Sequence, residues 1–301
     1  MAAMKLAQEQ QAAEAAAQAQ AAVQQPAAAN ANANNASASA SPAAAAGGGA
    51  ADGASGDLRR EAEAEPSIKA LPTTRWQDIV PPGSCADALR DSATVRAACP
   101  HIDAIAADCD AKAAEVQFED DLPAELSTDQ AFALAAYSHD LNNGSKEGNL
   151  YFELNGALRK RGKDDRAALM EGWGVFMHFL MAAMALLPRF EGVCYRGMRG
   201  APDRASTVAQ YKLGRPIQWG AFSSTSTDFG ATKGFTDKAT GVIFKIMVTD
   251  GRDINAFSFF PAENEILLSP SHRFTVCSAP YERDGYTVID MVQVEGNTFV
   301  S

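Results

Sequence analysis

At Pro188 the hydrophobic pattern of this chain changes its period, and that change narrows the class of fold open to it. Upstream the period is helical. Ser127-Thr-Asp-Gln130 is a capping box, in which a serine and a glutamine three residues later satisfy two free N–H groups, and it predicts a helix with Phe132, Leu134, Ala135 and Tyr137 on its buried side. Asn142-Asn-Gly144 closes the turn after it. Leu150, Leu154 and Leu158, each four apart with Tyr151 beside them, predict a second amphipathic helix that ends in Arg159-Lys-Arg161 and Gly162. A third is expected over 164–187, opened by Asp164 and Asp165 at its positive end. Downstream the apolar runs are short and set apart by Gly, Pro and Asp-Gly. Strands are expected at 192–196, 221–226, 241–248, 265–268, 273–276 and 286–294. Helices followed by strands indicate an α+β domain.

The residues before this region are of two kinds. Positions 1–66 are largely Ala, Gln, Asn, Gly and Ser. So few large apolar side chains cannot offset an ordering cost of roughly 1–2 kcal/mol per residue, and a disordered tail is expected. From 67 to 123 the composition changes to a lead-in of unknown role, with alanine-rich helices expected at 87–98 and 102–116. The catalytic domain is then expected over 124–301.

The net charge of −11 argues against nucleic acid as a partner. Five scattered cysteines without C-x-x-C spacing suggest neither a disulfide framework nor a zinc site. The first residues lack the apolar core of about 7–15 residues that a secretory leader needs. The apolar run from Gly172 to Leu187 contains His178 and falls short of the ~20 residues that cross a bilayer. A buried core helix, no membrane partner and a cytoplasmic location with reduced thiols are expected.

Glu263-Asn-Glu265, followed by Ile266, Leu267 and Leu268, is where chemistry is best placed. If both glutamates lie on one strand they share a face, with roots ~6.6 Å apart. Two carboxylates in one cleft can stabilise a developing cation and activate a nucleophile. The same pattern also marks a solvated entrance to a central strand.

Three segments stand in order along the strand region: Tyr195-Arg-Gly-Met198, Phe222-Ser-Ser-Thr-Ser226 and Glu263-Asn-Glu265. This order resembles the arginine-serine-glutamate class of mono-ADP-ribosyltransferases. Tyr151-Phe-Glu-Leu-Asn-Gly-Ala-Leu-Arg159 is similar to that family's helix with a Leu-Asn-x-x-Leu-Arg signature, and the approach from Leu187 to Gly197 is also similar. The resemblance covers about 124 to 298. It implies helices followed by a mixed or antiparallel β-sandwich, with NAD as substrate and no metal.

The resemblance also implies roles. Arg196 would clamp the NAD pyrophosphate through its planar donor fork, and Gly197 would let the backbone approach the nicotinamide amide. Ser224 would hold the nicotinamide ribose or position Glu265, unless the run 223–227 only satisfies a strand edge. Phe235, or Phe229 in its stead, would stack on nicotinamide. Glu265 would stabilise the oxocarbenium-like cation formed when nicotinamide leaves. Glu263 would select the guanidinium of an arginine in a protein acceptor, whose identity the sequence does not carry. Among Phe257, Phe259 and Phe260, one exposed ring would serve acceptor docking and at least one would pack. An NAD glycohydrolase, with water as acceptor, and a catalytically silent NAD-binding module are the alternative readings.

Overall fold

The computed structural model describes residues 76–116, 122–142, 145–160, 162–199 and 203–294. The expected tail at 1–66 and the Asn143-Gly144 corner lie outside them. Among the described residues six α-helices come first: α1 (Cys85–Asp91), α2 (Ala93–Ala98), α3 (Ile102–Val116), α4 (Thr128–Ser138), α5 (Leu150–Arg159) and α6 (Lys163–Leu186). The continuous helix expected over 87–98 is broken at Ser92. The Ser92 hydroxyl oxygen accepts from Val95 N at 3.2 Å and caps α2, while its proton goes to Gly172 O of α6 at 2.9 Å. Gly172 permits that crossing, because a Cβ there would lie 2.6 Å from Thr94. The capping box at Ser127 forms as the sequence predicts, with Ser127 N donating to Gln130 Oε1 at 2.8 Å.

The strands are β1 (Arg189–Met198), β2 (Pro216–Trp219), β3 (Ser223–Ser226), β4 (Val242–Asp253), β5 (Glu265–Leu268), β6 (His272–Val276), β7 (Tyr281–Arg283) and β8 (Tyr286–Gln293). Two short helices, α7 (Arg204–Gln210) and α8 (Phe229–Thr232), lie among them. The strands run β1-β3-β5-β4-β8-β6-β2, with β7 beside β8 and a further pairing of β1 with β4. Only β4 with β8 is parallel among these pairings. Ile217 and Trp219 at one end of this path share a core with Ile266 and Leu268 near the other. The sheet therefore folds over on itself, which is the mixed α+β sandwich that the sequence leads one to expect.

A second core joins helices to strands. It contains Cys85, Leu89, Ile102 and Ile105 from the lead-in, Phe132, Trp173 and Phe176 from the later helices, and Phe222, Phe257 and Leu267 from the strand region. The boundary expected at residue 124 does not divide this core. Large apolar side chains are sparse in α3, but Ala106 and Ala113 are buried, as are Ala131, Ala133, Ala135 and Ala136 of α4 packed against it. Small side chains on the buried faces of both helices let their backbones approach closely.

Helix α6 spans 24 residues and is long and apolar enough to cross a membrane by length and composition. The shorter count expected from the run at Gly172 is thus corrected. Leu169, Trp173, Leu180 and Ala183 of this helix are nonetheless core residues. Arg252 of β4 ties α6 to the sheet, donating from Nε to Met184 O at 2.6 Å and from Nη1 to Asp250 Oδ1 at 2.6 Å.

Candidate active site

Pro261–Glu263 forms a single 3-10 turn, and Asn264 after it takes the left-handed conformation (φ 49°, ψ 57°). Asparagine tolerates that region because its short amide meets local backbone groups. The strand begins only at Glu265. Glu263 and Glu265 therefore do not lie on one strand, as the spacing alone suggests. Glu263 sits half-exposed on the turn, and Glu265 is 6% exposed at the head of β5. The central, doubly covered strand expected after it is present, with Glu265 to Leu268 all buried between β3 and β4.

The Ser-Thr-Ser segment holds this turn. Ser226 Oγ donates to Glu263 O at 2.5 Å, Thr227 N donates to Asn264 O at 3.2 Å, and Thr225 Oγ1 donates to Ile266 O at 2.7 Å. Thr225 and Ser226 are thus spent on backbone. Ser224 is different. It faces solvent and pairs with Leu267 across the ladder. Glu265 pairs with Ser226, so Ser224 and Glu265 project from one face of the β3–β5 ribbon.

Arg196, near the end of β1, donates from Nη1 to Ser224 O at 2.9 Å, and its guanidinium lies 5.4 Å from the centre of the Trp219 ring. Trp219 belongs to β2, a strand that the sequence pattern does not single out. Burial pushes the Glu265 carboxyl up to about 7. The Ser224 hydroxyl pulls it back, Glu263 pushes it up further, and Arg196 pulls it down. The Glu263 carboxyl is also raised, by burial first and then by Asp140. Asp140 in turn accepts a hydrogen bond from Tyr151 Oη at 3.0 Å.

Gly197 lies close against the end of α8 and the residues after it. A Cβ there would lie 2.8 Å from Thr232 O and 3.2 Å from Phe235 Cβ, so its bare surface seats the segment that carries Phe235. Phe235 is 47% exposed beside that seat. Phe229 is buried and packs on Tyr195 at 5.3 Å and under the Arg283 guanidinium at 3.9 Å. Of the two, Phe235 is the ring open to a ligand. In the segment 253–262, where an exposed ring is expected, none of the three phenylalanines is exposed. Phe257 is core, Phe259 packs edge-on to His139 at 4.9 Å, and Phe260 is half-buried. Among the described residues, no three His, Cys, Asp or Glu side chains converge as metal ligands.

Residues 98–297 match the family model described as NAD:arginine ADP-ribosyltransferase, two thirds of the chain. The chain belongs to the NAD:arginine ADP-ribosyltransferase family. Among relatives, it is 33% identical over 169 residues to a putative NAD(+)--arginine ADP-ribosyltransferase, Mav, of Mycobacterium avium (strain 104), covering 56% of this chain and 18% of that protein. It is 28% identical over 167 residues to ecto-ADP-ribosyltransferase 5 of Homo sapiens, covering 54% of each. The chain thus spans from under a fifth to about half the length of these relatives. In fold it is similar to a variant of the eukaryotic mono-ADP-ribosyltransferase ART2.2 in complex with NAD, with a TM-score of 0.51 and 16% identity, over 71% of this chain and 86% of that one.

The family match begins at residue 98, ahead of the start near 124 that the motifs suggest, and so takes in the helix α3 that completes the core. The cytoplasmic location expected from the sequence does not stand. Relatives from human and mouse bear the name ecto-ADP-ribosyltransferase.

Proposed function

We propose that this chain transfers ADP-ribose from NAD to the guanidinium of arginine side chains in a protein acceptor, releasing nicotinamide. The reading rests on Glu265, a buried carboxylate on the same face of the β3–β5 ribbon as Ser224, whose own carbonyl holds Arg196. NAD is here a substrate. Arg196, braced by Ser224 O and the Trp219 ring, would take the anionic pyrophosphate. Phe235, an exposed ring on a seat that only glycine allows, would stack on the nicotinamide.

In the reaction, the bond between the anomeric carbon and the nicotinamide nitrogen breaks. Its electron pair leaves with neutral nicotinamide, and positive charge develops on the ribose. The ionised Glu265 stabilises that charge, and Ser224 fixes the carboxylate. A guanidinium nitrogen then bonds to the anomeric carbon and loses a proton to Glu263, whose raised affinity for protons suits a base.

The test is incubation of the purified protein with labelled NAD, with agmatine as a free guanidinium or with water alone, and Glu265→Gln as control. Label on agmatine, lost by at least ~10² in the variant, supports transfer. Free ADP-ribose without an agmatine product would make the protein a glycohydrolase, and NAD binding without turnover would leave only a binding module. Glu263→Gln is expected to lower transfer to agmatine while sparing NAD hydrolysis. Equal loss of both would remove Glu263 from the acceptor side.

A further inference from the structure

The last residues of α4 reach the strand region one after another. Tyr137 packs on Phe222 at 5.4 Å between ring centres, and its hydroxyl accepts from Asn155 Nδ2 of α5 at 3.0 Å. Ser138 shares its proton between Ala135 O at 3.0 Å and Phe257 O at 3.3 Å. His139, 6% exposed where α4 ends, stands edge-on to the Phe259 ring at 4.9 Å. Its Nε2 lies 3.1 Å from Asp108 Oδ2 of α3.

An ionised carboxylate only accepts, so the proton of this bond sits on His139 Nε2. His139 Nδ1 is buried without a partner among the described residues, which leaves the bond to Asp108 to fix the plane of the ring. What the ring then holds is the approach to Glu263. Phe260 N donates to Ser258 Oγ at 3.0 Å and Glu263 N donates to Phe260 O at 2.9 Å, so the residues that flank Phe259 are tied in turn to Glu263. On its other side the turn is held by Ser226 Oγ on Glu263 O. Glu263 hangs between a strand anchor and a helical one. Glu265 does not, because it lies beyond Asn264 and is paired with Ser226 in the ladder.

We infer that His139, oriented by Asp108, is a positioning residue for the turn that carries Glu263, and hence for the acceptor and not for NAD. The consequence for the acceptor rests on the proposed transfer to arginine. The hold on the turn does not, and it acts in the absence of NAD.

The experiment compares the parent protein with His139→Ala, Asp108→Ala, Asp108→Asn and the double alanine variant. Transfer to agmatine and NAD hydrolysis without agmatine are measured side by side, and amide hydrogen exchange at Glu263 and Asn264 is followed by NMR without NAD. His139→Ala is expected to raise KM for agmatine about tenfold while leaving KM for NAD and the hydrolysis rate as they are. Asp108→Ala should act in the same direction by several-fold, and the double variant should be no worse than His139→Ala, since both act through one ring. Asp108→Asn keeps an oxygen that accepts from Nε2 and should behave as the parent. The Glu263 and Asn264 amides should exchange faster in both alanine variants. The Asp108 side chain is 62% exposed, so Asp108→Ala carries the test if His139→Ala does not fold. Unchanged exchange, an unchanged KM for agmatine in a protein that does transfer to it, or equal loss of transfer and hydrolysis would overturn the inference. Faster exchange in a protein whose parent never modifies agmatine would keep the hold on the turn and discard the transferase reading.

Discussion

Glu265 is asked to be ionised where burial favours its neutral form. Its carboxyl is raised from 4.5 to about 7, so the proposed NAD cleavage should lose rate below neutrality. Below about pH 6, kcat/KM is expected to fall roughly tenfold per pH unit, and a pH–rate profile with its acid limb near 7 would show it. The same shift bears on stability. Between 4.5 and about 7 the folded protein keeps a proton that the unfolded chain has released, so stability falls as pH rises through that window. Above it the cost is on the order of a few kcal/mol. Glu265→Gln should therefore melt higher than the parent at pH 8, with no advantage at pH 4, while losing activity at pH 8. This residue was legible from the sequence as part of an ordered set with Arg196 and Ser224. Tyr137 was visible only as one more aromatic on the buried side of a helix. Periodicity reports that a ring is inside and says nothing of where its hydroxyl points.

At the scale of elements, the strand ends and turns decide what those residues can reach. The glutamate pair reads as one strand by spacing, and the left-handed Asn264 between them is what separates their roles. The signal was an asparagine between two charged residues, the residue type that most readily leaves the extended region apart from glycine. β2 escaped notice because Pro216-Ile-Gln-Trp219 is four residues long without alternation, yet it supplies the Trp219 surface under Arg196. The contact between β1 and the turn Lys233–Phe235 carries its own prediction. Gly197→Ala places a methyl 2.8 Å from Thr232 O, backbone that has to move, and Phe235 moves with it. KM for NAD is expected to rise several-fold with an unchanged far-UV circular dichroism spectrum. An unaltered KM would show that the seat of Phe235 does not matter to the nucleotide.

On the scale of the whole molecule, the helical and stranded halves share one core and are expected to unfold together. Their common core runs from Cys85 to Leu267, and α4, packed on α3 and α6, carries Tyr137 against Phe222 of the strand region. The buried pair Arg252–Asp250, with Arg252 also bonded to Met184 O, fastens the two halves at the end of α6. Removing one member of such a pair leaves a charge in a dry place, a loss of about 3–5 kcal/mol. Arg189, 3.6 Å from Asp250, would relieve part of it. Arg252→Met is thus expected near the lower end of that range by urea unfolding. The tryptophan fluorescence and circular dichroism transitions should coincide, since Trp173 reports the helical core and Trp219 the sheet. A chain begun at residue 124 would lack α1 to α3 and bare the faces of α4 and α6 that they cover. It should not fold, although every residue of the proposed site lies after its start. If it folds and cleaves NAD at the parent's rate, the shared core is dispensable and the halves are not one unit.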